Sequence, residues 1–270
     1  MIIDNGLQGG EYIEPYAGGA AAAFHLLFED FVDHIHINDL DPGILAFWDS
    51  VLNDTARLVD LVRGSELTMA EWERQRSIQQ EGGDPDLALG FATFYMNRTN
   101  RSGIITGGPI GGMAQDGKWA LDARFNKPDL IHRIEKVARF RNRITLTGQD
   151  ASEIIESWQG PRNGKFLLYA DPPYYAQGSQ LYLHHYTDGD HRHVAESIRR
   201  LSIPWIVSYD NVPQILSLYE DSGRIEYSLN YSAASRYKGS EVIFVSPMLS
   251  VPDVASPANL PLPRAAASDS

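Results

Sequence analysis

Residues 11 to 50 read as strand, loop, helix, strand, turn and helix, and this alternation restricts the chain to a few α/β folds. Tyr12-Ile13-Glu14 opens the pattern as a strand. Pro15-Tyr16-Ala17-Gly18-Gly19 is a loop, and Ala20 to Phe31 carries a helical pattern. His34-Ile35-His36-Ile37-Asn38-Asp39 alternates like a second strand, and Pro42 to Leu52 is helical. A βαβα start of this kind builds a parallel sheet.

The alternation breaks between residues 53 and 143. Helical stretches are expected at 55–63, 69–81, 87–97 and 127–140, around a glycine-rich segment from Gly103 to Gly117. Strands resume at Ile144-Thr145-Leu146, then at 166–170, 205–209, 225–231 and 241–246. The last two, linked by residues 232–240, suit an antiparallel hairpin that ends the sheet. The expected organisation is a discontinuous α/β domain (1–52 and 144–250), an insertion (53–143) and a Pro-, Ala- and Ser-rich disordered tail (251–270).

Composition narrows the function classes. The 270 residues include no cysteine, which excludes disulfides, thiolate metal sites and cysteine nucleophiles. No apolar run approaches the ~20 residues that span a bilayer, and Met1 to Asn5 does not read as a secretory leader. The expectation is a cytoplasmic protein with no membrane partner. The net charge is −12, yet Arg98 to Arg143 holds ten Lys/Arg against four acids, a local charge of +6. A basic segment on an acidic body suits phosphate binding. A solvated amphipathic helix over Ile131 to Ile144 explains the same charges equally well.

Three short segments carry chemistry. Glu14-Pro15-Tyr16-Ala17-Gly18-Gly19-Ala20 joins a strand to a helix, where small residues let a ligand approach backbone amides. An ordinary tight turn is the competing reading. In Asn38-Asp39-Leu40-Asp41, Asp39 stands where ribose hydroxyls are held in such sheets. Asp41, before Pro42, reads mainly as a helix cap. Finally, Asp171-Pro172-Pro173-Tyr174 follows the apolar strand Phe166–Ala170. It places a carboxylate acceptor, freed carbonyls and an aromatic plate at a strand end. That set fits a planar ring bearing an exocyclic amine.

The tetrapeptide resembles the catalytic motif of amino-methyltransferases, and the order of segments resembles the Dam-like, D12 class of DNA adenine-N6 methyltransferases. The matching segments are 14–24, 38–41, Phe94-Tyr95-Met96-Asn97-Arg98-Thr99, 169–174, Val207-Ser208-Tyr209-Asp210-Asn211 and Arg236-Tyr237-Lys238-Gly239-Ser240-Glu241, within residues 11 to 248. The resemblance implies a Rossmann-like α/β fold dependent on S-adenosylmethionine, with a mixed, mostly parallel sheet, a C-terminal antiparallel hairpin and a mainly helical target-recognition insertion. It implies catalytic roles for Asp171, Pro172, Pro173 and Tyr174 on a flipped base. Glu14, Pro15, Tyr16, Ala17, Gly18 and Gly19 would hold the methionine end of the cofactor and Asp39 its ribose. Asp150 would lie near the cofactor's adenine, with helix capping as its equal alternative. No metal is required.

DNA is the implied partner, contacted by Arg98, Asn100, Arg101, Lys118, Arg124, Arg236 and Lys238. A restriction or defence-system partner is a further expectation; the oligomeric state is left open. Family members usually carry a Gly-Gly-Lys segment before the first motif, whereas Met1 to Gly10 contains no lysine. Two other readings share these residues. One is a weakly active or inactive relative serving as a DNA-binding subunit. The other is a cytosine-N4 methyltransferase.

Overall fold

The computed structural model describes residues 1–175, 186–231 and 237–251, with backbone only for 228–231 and 237–240. The expected alternation is present. Strand β1 (Gly10–Glu14) leads to helix α1 (Ala21–Phe28), β2 (Val32–Asn38) and α2 (Pro42–Asn53). Helices α3 (Thr55–Gly64), α4 (Met69–Glu81), α5 (Leu87–Thr99) and α6 (Lys127–Arg139) follow. Then come β3 (Ile144–Thr147), α7 (Ala151–Ser157), β4 (Phe166–Ala170), α8 (Asp188–Arg199), β5 (Trp205–Asp210), α9 (Pro213–Leu218), β6 (Gly223–Tyr231) and β7 (Tyr237–Val245).

The described residues form a seven-stranded sheet in the order β3-β2-β1-β4-β5-β7-β6. The first five strands in that order pair in parallel, while β7 runs antiparallel between β5 and β6. This is a mixed, mostly parallel α/β sheet with an antiparallel C-terminal hairpin. The chain winds one way from β1 to β3 and the other way from β4 to β5. The order therefore reverses between β1 and β4, and ligands bind beyond the carboxyl ends of strands at such a switch point. Glu14 ends β1 and Asp171 follows β4, so both carboxylates stand at that crevice.

Two cores cover the sheet. One gathers α1 to α6 around Leu27, Ile35, Val51, Trp72 and Tyr95. The other gathers α7, α8 and α9 around Leu168, Ile198, Val207 and Ile215. The insertion contributes Trp72, Phe91, Tyr95 and Phe125 to the first core, alongside Tyr12 and Ile35 of the sheet. Its burial is thus shared with the sheet rather than separate from it.

Two sequence expectations need correction. Helix α1 ends at Phe28, not Phe31, because Asp30 turns to φ 52 and the Phe31 amide folds back onto the Leu26 carbonyl. Strand β7 begins at Tyr237, not Glu241, because pairing with β6 continues as far as Tyr231. Of the expected tail at 251–270, residues 252–270 lie outside the described residues.

Candidate active site

The Pro15–Gly19 loop leaves β1 and turns sharply into α1. Gly18 adopts φ 48, a left-handed conformation that favours glycine. Ala20 precedes α1 with φ 48 and offers no side-chain cap. Glu14 supplies one instead: its Oε2 accepts from the Ala23 amide at 3.3 Å. The loop is pinned from three sides. Asp39 Oδ2 accepts from the Gly18 amide at 2.8 Å, the Trp48 indole donates to the Gly18 carbonyl at 2.9 Å, and the Ala17 amide donates to Asn38.

Asp39 also accepts from the Asp41 amide at 2.9 Å. Asp41 Oδ1 accepts from the Gly43 and Ile44 amides and caps α2. Asp150 caps α7 through the Ser152 amide at 2.8 Å.

Pairing of Ala170 with Val207 brings the next residues, Asp171 and Ser208, side by side. The Ser208 hydroxyl donates to Asp171 Oδ1 at 2.7 Å, and the Tyr169 hydroxyl stands 2.8 Å from Ser208 Oγ. With the serine proton committed to the carboxylate, Tyr169 is the donor to serine. Further along, the Tyr175 amide donates to Asp210. Glu241, buried on β7, accepts from the Tyr174 hydroxyl at 3.0 Å and from the Tyr227 hydroxyl at 2.6 Å. Tyr174 is thereby anchored at its hydroxyl, and its ring stacks on no other ring among the described residues.

Asp171 and the Gly18–Gly19 loop face one cleft of about 310 Å³, which Asp39, Pro173 and Tyr186 also line. Burial pushes the Glu14 carboxyl up to about 8, against the Ala23 bond and with help from the Asp171 charge. Burial likewise pushes Asp171 up to about 6, opposed by Ser208 and reinforced by Glu241. Asp39 is raised mainly by burial, against its two amide donors. Among the described residues no cation is paired with Glu14, Asp39 or Asp171. Asp39 and Asp171, without a cation of their own at the crevice, suit a ligand that brings positive charge.

Beside the cleft, the Tyr16 and Tyr186 hydroxyls meet at 3.1 Å, and His191 Nδ1 lies 3.1 Å from the Tyr209 hydroxyl. Sequence reading assigned no role to Ser208, Tyr169, Tyr186 or Glu241. The register of β4 against β5, and of β5 against β7, is the signal that brings three of them to the crevice.

The expected DNA contacts separate into two kinds. Arg101 and Lys118 are exposed on the insertion, and Lys118 Nζ stands 5.3 Å from the Trp119 ring. Met113, on the glycine-rich segment, is 58% exposed, and Trp119, just after it, is 63% exposed. Arg124 is exposed and reaches the Asn100 carbonyl at 3.4 Å, while Arg98 is half-buried beside Phe94.

Asn100 is a correction. It is fully buried, its amide donates to the Ile104 and Ile105 carbonyls, and its Oδ1 accepts from the Trp72 indole at 2.8 Å. A side chain bound on both sides has nothing left with which to read a base edge, so it organises the loop. Arg236 lies outside the described residues. Lys238 is placed on β7 by its backbone alone.

No curated protein matches the chain. Among solved structures it is similar to a candidate RNA methyltransferase from Pyrococcus horikoshii, at 8% identity and TM-score 0.41, covering 90% of this chain and 77% of the other. It is also similar to a conserved hypothetical protein from Streptococcus pyogenes, at 12% identity and TM-score 0.35, covering 90% of each chain. The profile of D12 class N6 adenine-specific DNA methyltransferases matches residues 1–233. With that match spanning most of its length, the chain belongs to the D12 class N6 adenine-specific DNA methyltransferase family.

Proposed function

We propose that the protein transfers a methyl group from S-adenosylmethionine to N6 of a flipped adenine in DNA. The observation that carries this reading is the shared cleft: Asp171 and the Gly18–Gly19 loop line one space at the switch point of the sheet. Membership of a methyltransferase family implies S-adenosylmethionine as the methyl source. The donor set fits that group, because a sulfonium and an ammonium would meet carboxylates that have no cation of their own. The Asp39 carboxylate would hold the ribose hydroxyls, while Glu14 and the Tyr16–Gly19 loop would hold the methionine end. When bound, S-adenosylmethionine supplies an electrophilic methyl on its sulfonium.

The chain's own residues handle the nucleophile. Adenine N6 is weakly nucleophilic because its lone pair is delocalised into the ring. The Asp171 carboxylate and the Pro172 carbonyl would accept its two hydrogens and turn the lone pair toward the methyl. This is orientation and electrostatic stabilisation rather than prior deprotonation. The proton that N6 gives up once the methyl has left the sulfonium would pass to the Asp171 carboxylate that already holds it. Ser208 holds the carboxylate in place. The Tyr174 ring, tethered through Glu241, would stack on the base and contribute roughly 1–3 kcal/mol. Asp150 caps α7 through the Ser152 amide.

Target recognition falls to the insertion. Arg101, Lys118 and Arg124, with Trp119 exposed beside Lys118, supply the charge and the aromatic surface that a DNA contact requires. Tritium from methyl-labelled S-adenosylmethionine should enter duplex DNA with the native protein and not with Asp171→Ala. Label that enters equally with both would remove Asp171 from the reaction.

A further inference from the structure

A second cavity, of about 470 Å³, shares the Gly18–Gly19 loop with the cofactor cleft and lies between α1 and α2 on one side and α5 and α6 on the other. Phe24, Phe47, Trp48 and Phe94 form aromatic walls, with Phe47 and Phe94 stacked at 5.4 Å and 8°. Close-packed interiors leave few voids larger than a water molecule. A space of this size with mainly apolar walls matches a small-ligand pocket instead.

The polar groups in its wall point to the ligand's charge. Arg98, Arg133 and Lys136 all line the cavity. Arg133 is paired with Asp129 at 3.0 Å, and Lys136 Nζ lies 4.1 Å from the Phe28 ring centre. Arg98 Nε and Thr93 Oγ1 are both buried without a hydrogen-bond partner. These are two of four such side-chain atoms among the described residues, and both residues line this one space. Thr93 is 3% exposed. A buried polar atom without a partner is costly, so its placement calls for explanation. Burial and the nearby Arg124 and Arg133 charges all weigh against the Arg98 cation, which an anion would relieve. Guanidinium groups bind carboxylates and phosphates through two parallel bonds, and a mainly apolar wall suits the singly charged carboxylate better than the more strongly charged phosphate.

We propose that this cavity binds a small planar aromatic molecule carrying a single carboxylate, with the ring among Phe24, Phe47, Trp48 and Phe94 and the carboxylate at Arg98 and Thr93. The Trp48 indole both lines the cavity and donates to the Gly18 carbonyl, so an occupant presses on the wall shared with the cofactor cleft. The site shares the Gly18–Gly19 wall with the cofactor cleft but not Asp39, Asp171 or Pro173, and it is independent of which base is methylated.

The test uses 2-naphthoate and its neutral methyl ester on the full chain, followed by heteronuclear NMR of the indole N–H signals. The Trp48 signal is assigned by its loss in Trp48→Phe. The expected result is saturable movement of the Trp48 and Gly18 signals, with the ester at least tenfold weaker. Arg98→Gln should weaken 2-naphthoate about tenfold. Thr93→Val, which keeps the side-chain shape, should weaken it several-fold while leaving the melting temperature unchanged or higher. Unmoved Trp48 and Gly18 signals at millimolar 2-naphthoate would overturn the proposal. So would equal binding of acid and ester, or binding unchanged in both variants.

Discussion

The Ser208 hydroxyl donates to Asp171 Oδ1 at 2.7 Å, fastening the carboxylate that follows β4 to the neighbouring strand β5. This bond opposes the upward push that burial exerts on Asp171. Ser208→Ala removes the donor, so the Asp171 carboxyl should titrate higher than about 6. If ionised Asp171 orients the base, the acid limb of the methylation profile should move toward neutral pH. The expected loss is therefore larger at pH 6.5 than at pH 8.5. A pH–rate profile checks this, and identical limbs for the two proteins would count against the role given to Asp171.

Glu14 offers a stability test in the absence of ligand. Its carboxyl is raised from 4.5 to about 8, so the folded state binds a proton that the unfolded state releases. The associated stability is complete below pH 4.5 and is lost as the pH rises through about 8. The melting temperature should consequently fall between pH 6.5 and pH 9. Glu14→Gln keeps the side chain neutral and should flatten that fall, raising the melting temperature most at the alkaline end. Scanning fluorimetry across this range reads both effects.

Asn100 separates architecture from recognition. Replacing it with alanine leaves the Ile104 and Ile105 carbonyls and the Trp72 indole without their buried partner. Asn100→Ala should cost roughly 2–4 kcal/mol of folding stability. Sequence preference should persist in whatever fraction stays folded. Urea denaturation measures the first effect, and methylation of competing duplexes measures the second.

Trp119 and Lys118 are the converse case. Both are exposed on the insertion, so substitution should hardly change stability. Trp119→Ala should weaken DNA binding by about 1–3 kcal/mol if the indole stacks on a base. Lys118→Gln should lower the salt dependence of binding by about one counterion. Fluorescence anisotropy at several salt concentrations distinguishes the two changes.

Much of this architecture was legible in the residues themselves. Strand β4 and helix α4 follow the pattern of apolar residues and their flanking breaks, and both ends of each match. The Asp41 cap was visible because an acceptor before Pro42 has few other uses. Asn100 was not legible. A polar residue beside two arginines looks like a contact residue until the fold shows Trp72 donating to it. Ser208 and Glu241 were equally hidden, since their importance comes from strand register over long sequence separations. The bend at Asp30 depends on a left-handed backbone that aspartate adopts only in some contexts. The second cavity arises from four helices packing together, which no local pattern encodes.

Methyl transfer to adenine N6 in DNA leaves its product in the nucleosides of the substrate. The most direct measurement is mass spectrometry of nucleosides from DNA incubated with the protein and S-adenosylmethionine, with an RNA substrate alongside. The expected result is N6-methyladenosine in its deoxy form from DNA, absent with Asp171→Ala. Modification only of cytosine N4, modification only of RNA, or no methylated nucleoside from any DNA would contradict it.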